Sequence, residues 1–179
     1  RRLGPAGLRG LAAVLAGCPE LRALQLRGHG LGGGGTRLLA DAVQRLPKLQ
    51  ELRLSGNEIG ADSEGLRALV EVLVQLPELR ELDLSGNDLG ANGAGCATIL
   101  GHLLGGSASL RRLDIRGNNL DSGNAFAERL FAAGGGVPPL LEVIAGVDLA
   151  NINLDNATVV SQAAGHLGGG ERAVLAAGP

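Results

Sequence analysis

Histidine and cysteine are the side chains of this sequence best suited to bind a metal ion or to attack a substrate, and it has few of them. They are His29, His102, His166, Cys18 and Cys96. Cys96 and His102 are six residues apart on one predicted helix, which places them about 240° apart around its axis, so they cannot converge on one ligand. We therefore predict no catalytic residue, no metal site and no bound cofactor, and we expect both thiols to be buried as small apolar groups.

A run of four glycines, Gly32–Gly35, is the next candidate for chemistry, because glycine-rich loops hold phosphates. The run lacks the Gly-Lys-Ser/Thr ending of a nucleotide-binding loop. It also follows a predicted turn and precedes a predicted helix. We interpret it as a flexible connection between a strand and a helix.

The composition excludes several classes of protein. The chain has 179 residues, no Tyr or Trp, and a net charge of −2, so it lacks the basic excess and stacking aromatics of nucleic-acid-binding proteins. No run of 18 apolar residues is present, and we predict no membrane span. Two cysteines do not make a disulfide framework, which predicts an intracellular, cytoplasmic location.

Self-comparison finds one pattern, L-x-x-L-x-L-x-x-N-x-L, in three copies and in two variants that have His29 or Ile152 at the asparagine position. They are Leu21–Gly32, Leu49–Gly60, Leu79–Gly90, Leu110–Asp121 and Ile144–Asp155. The third apolar positions of successive copies are separated by 28, 30, 31 and 34 residues. Such a period is typical of a repeat architecture.

The spacing within each copy predicts a strand, a turn and a helix. Leucines that alternate with polar residues point to one face of a short strand. The asparagine that follows, Asn57, Asn87 or Asn118, with His29 in the same position of the first copy, is expected to bond backbone groups of the turn. Helical spacing follows in each copy, and a helical crossover is what joins parallel strands.

The pattern resembles the leucine-rich repeat, and its long period with a helical second half resembles the ribonuclease-inhibitor-like class. The resemblance implies an α/β solenoid, an open horseshoe with a parallel inner sheet and outer helices. Residues 1–20 correspond to the helical half of a repeat, so we expect a fragment of a longer chain. Successive repeats are expected at residues 21–48, 49–78, 79–109, 110–143 and 144–179, the last of them degenerate.

Polar residues between and after the strand leucines predict a polar surface on the concave side. They are Arg27, Glu51, Arg53, Glu81, Asp83, Arg112, Asp114, Arg116 and Asp148. Arg53 is expected to face Asp83, and Glu81 to face Arg112. One interpretation is a set of compensating surface ion pairs, and the other is a recognition face for a protein. The face has no aromatic residue, which predicts modest affinity.

For function, the resemblance implies a non-enzymatic scaffold that binds protein partners within a larger protein or assembly. Two alternatives follow from the same family likeness. Such repeats also form the sensor region of NOD-like receptors, and they occur in Ran GTPase-activating proteins. The sequence leaves both alternatives open.

Overall fold

A computed structural model of the chain describes residues 2–3, 5–120, 125–134, 141 and 143–145. Helices alternate with three-residue strands along this part of the chain. The helices are α1 (Pro5–Leu15), α2 (Gly32–Val43), α3 (Ser63–Leu73), α4 (Gly93–Gly106) and α5 (Ala125–Gly134), and the strands are β1 (Ala23–Gln25), β2 (Glu51–Arg53), β3 (Glu81–Asp83), β4 (Arg112–Asp114) and β5 (Val143–Ala145). Short 3-10 turns at Ile59–Ala61 and Leu89–Asn92 precede α3 and α4.

The five strands form one open, parallel sheet in chain order. Equivalent residues of successive copies are paired, and the central ones are buried apolar residues in a single row. This row is Leu24, Leu52, Leu82, Leu113 and Ile144. The α/β solenoid predicted from the repeat is confirmed, with helices on one side of the sheet.

An aliphatic core lies between the sheet and the helices. Leu66, Leu69 and Leu73 of α3 are completely buried, as expected for residues that share one helix face. The side chain of Asp62 caps this helix by accepting a hydrogen bond of 3.0 Å from the Glu64 nitrogen. The helices and strands share one continuous core, and each helix packs on the helices beside it.

The glycine run is helical, so the predicted flexible connection is wrong. Gly32–Gly35 form the first turn of α2. A Cβ atom at Gly33 would overlap the Asp62 side chain, and one at Gly65 in α3 would overlap the Gly33 backbone. The missing side chains therefore allow two helix N-termini to approach closely, which a pattern read within one repeat does not reveal.

The fifth strand lies three residues earlier than expected. The sequence alignment placed 146–148 opposite β4, but β5 is Val143–Ala145, and Asp114 pairs with Ala145. Ile144 lies opposite Leu113, 31 residues earlier in the chain, so the period is regular and the expected interval of 34 is wrong. The cause is that Ile144 fills the second apolar position of the pattern, not the first. Asp148 lies outside the described residues.

Candidate functional site

A ladder of buried asparagines connects the repeats below the inner surface. The Asn87 Nδ2 group donates to the carbonyl oxygens of Leu54 at 2.9 Å and of Leu84 at 2.8 Å. Its Oδ1 accepts a hydrogen bond of 2.8 Å from the Asn57 nitrogen. Asn118 repeats this arrangement, because its Oδ1 accepts from the Asn87 nitrogen at 2.7 Å. Asn57, Asn87 and Asn118 therefore bond backbone groups of the turns.

His29 occupies the first position of this ladder. Its backbone nitrogen donates a hydrogen bond of 2.9 Å to Oδ1 of Asn57. The His29 side chain is half-buried, whereas the asparagines that follow are buried. The four predicted turn residues are therefore aligned along one edge of the sheet.

The turns that contain these asparagines use left-handed backbone conformations. Gly56 and Glu58, on either side of Asn57, have φ values of +69° and +61°. Gly86 and Asp88 repeat this geometry around Asn87. The backbone nitrogen of Gly56 donates to the Ser85 oxygen at 3.0 Å, so each turn is bonded to the next. This regularity fixes the spacing of the side chains above the sheet.

Eight of the nine predicted partner-face residues lie on described strands or two residues after them. We call these eight the inner face. It comprises Arg27, Glu51, Arg53, Glu81, Asp83, Arg112, Asp114 and Arg116. The first and third residues of each strand share one side of the sheet, because the central residue is buried on the other. The structure therefore brings these residues together on one surface.

Four inner-face residues form a chain of ion pairs across β2, β3 and β4. An Nη2 atom of Arg53 lies 3.1 Å from Oε2 of Glu51 and 3.8 Å from Oε2 of Glu81. An Nη1 atom of Arg112 lies 3.0 Å from Oε1 of Glu81. Glu81 is thus between two guanidinium groups. The chain of pairs holds these four long side chains in place over the sheet.

Arg27 reaches across a neighbouring strand to Asp83. Its Nη2 lies 3.2 Å from Oδ2 of Asp83, although β2 separates the two residues. Asp83 also accepts hydrogen bonds from the Ser85 nitrogen at 3.0 Å and hydroxyl at 2.6 Å. Arg53 does lie opposite Asp83 in the register, but it pairs with glutamates. The short Asp83 side chain is held near the backbone by Ser85, beneath the longer side chains.

Asp114 and Arg116 form the remaining pair of the inner face. The Arg116 Nε and Nη2 atoms lie 3.0 Å and 2.6 Å from the two Asp114 oxygens, a two-bond arrangement that favours both charged forms. Burial raises the pKa of Asp114, but hydrogen bonds and the charge of Arg116 outweigh it, so this pKa lies below its ordinary value. The hydrogen bond and charge of Asp114 raise the pKa of Arg116.

A second polar group borders the inner face and was not predicted from the sequence. The Lys48 Nζ donates to Oε1 of Glu78 at 3.0 Å, and Gln50 Nε2 donates to Oε2 at 2.9 Å. These hydrogen bonds lower the pKa of Glu78, the bond from Gln50 having the larger effect. A recurring polar position before each strand motif is the sequence signal that could have located this group.

The described residues do not form a reactive centre around either cysteine. Burial raises the pKa of the Cys96 thiol to about 11, which suppresses the reactive thiolate. Cys18 is half-buried, contrary to the expectation of full burial, and its Sγ donates to the Val14 oxygen at 3.5 Å. Within the described ranges, no group of three or more potential ligands could hold a metal ion, and no helix is long and apolar enough to cross a membrane.

A groove of about 360 Å³ lies between α2 and α3 on the outer surface. Ala40, Ala68 and Val72 contribute apolar atoms to its lining, and the carboxylates of Asp41 and Glu71 are exposed along it. Neither a histidine nor a cysteine lines the groove.

Comparisons with known proteins agree with this architecture. The sequence matches the family described as Leucine Rich repeat at residues 45–70, 75–96 and 106–123. No curated protein matches it. Among solved structures, the chain is similar to the tropomodulin C-terminal domain of Caenorhabditis elegans, with a TM-score of 0.66 and 16% sequence identity over 89% of this chain and 93% of that one. At this identity the likeness is one of fold.

Proposed function

This chain is an array of leucine-rich repeats, and from that premise we propose that it is a non-enzymatic scaffold that binds a protein partner on the inner face of its sheet. The observation that carries the proposal is the inner face itself. Eight charged side chains from four successive repeats share one surface and are held by ion pairs. A surface positioned in this way suits recognition of another protein.

We also propose a class for the repeats and a cellular location for the protein. Each unit of 28–31 residues between β1 and β5 contains an α-helix, which favours the ribonuclease-inhibitor-like class. We propose that the array acts within a larger protein or assembly. An intracellular, cytoplasmic location is supported by Cys18 and Cys96, because both are free thiols.

Site-specific photo-crosslinking tests which surface binds. A photoreactive residue is placed at Ser55, at the centre of the inner face, and in a matched protein at Arg67, which is exposed on α3. After irradiation in cell extract, crosslinked proteins are identified, purified and tested for direct binding. We expect a partner that crosslinks through Ser55 and not through Arg67. A purified partner that crosslinks only through Arg67 would contradict the proposal.

Two other functions found among leucine-rich repeat proteins predict different experimental results from the scaffold proposal. A GTPase-activating protein of the Ran type would increase the rate of GTP hydrolysis by its GTPase, which a turnover assay measures. The sensor region of a NOD-like receptor would be encoded next to a nucleotide-binding domain, which the full-length gene would reveal. The scaffold proposal predicts no stimulation of GTP hydrolysis.

A further inference from the structure

We propose that the inner face binds an extended acidic segment of its protein partner, whose carboxylates contact Arg27, Arg112 and Arg116. The inference rests on the proposed function, since it names the chemistry of the partner for the same surface. It depends on three properties of the face: the depth of each charge, the hydrogen-bond donors left over, and the spacing of the arginines.

The arginine is the more exposed member of three inner-face pairs. The exposed side-chain fractions of carboxylate and arginine are 16% and 52% for Asp83–Arg27, 25% and 62% for Asp114–Arg116, and 32% and 58% for Glu81–Arg112. In these three pairs the carboxylate therefore lies closer to the sheet than the guanidinium group. The Arg53–Glu51 pair differs, because its exposed fractions of 34% and 38% are nearly equal. An approaching protein meets positive charge first at Arg27, Arg112 and Arg116.

These guanidinium groups have hydrogen-bond donors to spare. Each carries five N–H donors in a planar fork. Among the described residues, Arg27 bonds its acceptor only through Nη2, and Arg112 bonds Glu81 only through Nη1. Their remaining N–H groups can donate to a carboxylate of the partner in the two-bond arrangement that arginine favours.

The carboxylates of Asp83 and Asp114, beneath Arg27 and Arg116, are already bonded and do not compete for these arginines. Asp83 accepts from Arg27 and from two groups of Ser85. Asp114 accepts from Arg116 through both of its oxygens. Four arginines balance four carboxylates on this face, so its net charge does not favour an anion. The preference comes instead from the greater exposure of Arg27, Arg112 and Arg116 than of their carboxylate partners.

The spacing of the arginines specifies an extended segment. Arg27 and Arg116 occupy equivalent positions on repeats three strands apart, a separation of about 14 Å at about 4.8 Å per strand. An extended chain covers this distance in about four residues. Between them lie the small side chains Ser55 and Ser85, which leave room for a chain that crosses the strands. Acidic residues four positions apart therefore fit the two arginines.

A short peptide tests this inference directly. The probe is acetyl-Gly-Glu-Gly-Ser-Gly-Glu-Gly-amide, titrated into ¹⁵N-labelled protein while amide resonances are recorded. We expect saturable shifts confined to the inner-face strands, which weaken as salt rises from about 0.02 M to about 0.15 M. The same peptide with glutamine in place of glutamate should leave the resonances unchanged. Equal shifts with both peptides would overturn the inference.

Matched variants identify the groups responsible. Arg27→Gln with Arg116→Gln should weaken the acidic peptide at least tenfold. Arg37→Gln with Arg45→Gln, on the exposed surface of α2 and just after it, changes the net charge equally and should not affect binding. Circular dichroism checks that both proteins fold. Equal weakening in both variants, or in neither, would refute the assignment to the inner face.

The outcome also separates this inference from the proposed function. A partner that crosslinks through Ser55 while the acidic peptide fails to bind overturns the acidic segment alone. A peptide that binds through Arg27 and Arg116 while the partner crosslinks only through Arg67 contradicts the proposed binding surface. The two failures are therefore distinguishable.

Discussion

The backbone nitrogen of Asn57 donates a hydrogen bond of 2.8 Å to the side-chain oxygen of Asn87, its equivalent in the next repeat. Asn87 in turn donates from its backbone nitrogen to Oδ1 of Asn118 at 2.7 Å. Each asparagine thereby bonds its own turn and the preceding one. Because nearest-neighbour interfaces largely determine the stability of repeat proteins, this ladder couples the repeats that display the inner face.

Replacement of Asn87 tests the ladder. Asn87→Ala leaves the Asn57 nitrogen without its side-chain acceptor. It also removes one of the two asparagine donors at each of the Leu54 and Leu84 oxygens, which keep bonds from Asn57 and Asn118. Unmade buried hydrogen bonds are costly, so we expect the free energy of unfolding to fall by about 3–5 kcal/mol in urea denaturation. Asn92→Ala is the control, because Asn92 is exposed, and should cost about 1 kcal/mol or less. Equal losses in the two variants would contradict the ladder's role.

Two glycines that differ in their neighbours test the packing of α2 on α3. A Cβ atom at Gly65 would overlap the Gly33 backbone, whereas at Gly34 none of the described atoms lies within 4 Å. Gly65→Ala should lower the unfolding free energy by about 1–3 kcal/mol. Gly34→Ala should raise it by about 0.4–1 kcal/mol. Thermal unfolding of both proteins measures the difference, and stabilisation by Gly65→Ala would contradict the close approach.

The repeat and its buried asparagines could be predicted because their signals recur within the sequence. An apolar row such as Leu52, Leu82 and Leu113 needs only the alternation of side chains along a strand. A recurring polar residue such as Asn87 needs recurring partners, and its buried hydrogen bonds join backbone groups of successive turns. These features depend on contacts between equivalent positions of neighbouring repeats.

Other features depend on contacts that the repeat pattern does not specify. The packing of Gly33 against Asp62 and Gly65 could not be anticipated from a glycine run, because the same residues are typical of loops. The position of β5 was missed because Ile144 fits two positions of the pattern. The reach of Arg27 to Asp83 depends on side-chain length and on Ser85, which strand register alone does not describe.

The pH dependence of stability tests the Asp114–Arg116 pair. The pKa of Asp114 is lower in the folded protein than its ordinary 3.8, because Arg116 outweighs the effect of burial. Its contribution to stability is therefore complete above about pH 4–5 and is lost as the pH falls through the folded value. Arg116→Gln should raise the Asp114 pKa in a ¹³C carboxyl titration. The stability difference between the two proteins, about 1 kcal/mol or less, should shrink towards pH 2. An unchanged Asp114 pKa would refute this account.

The two thiols should differ sharply in reactivity. Cys18 is half-buried, while Cys96 is buried with a pKa of about 11. In native protein treated with a chromogenic disulfide reagent, we expect one thiol to react quickly and the second at least about 100-fold more slowly. Cys18→Ser should remove the fast phase. A fast phase that persists in that variant would place Cys96 at the surface.

The affinity of the partner identified through Ser55 tests the inner face most directly. Isothermal titration calorimetry would compare the unchanged protein with Arg53→Ala, Arg112→Ala and Arg116→Ala combined, and with the outer set Arg37→Ala, Arg45→Ala and Arg67→Ala. The account predicts a dissociation constant at least tenfold higher for the inner-face variant, equivalent to about 1.4 kcal/mol, and no change for the outer set. An unchanged constant for the inner-face variant, with weakened binding by the outer set, would contradict it.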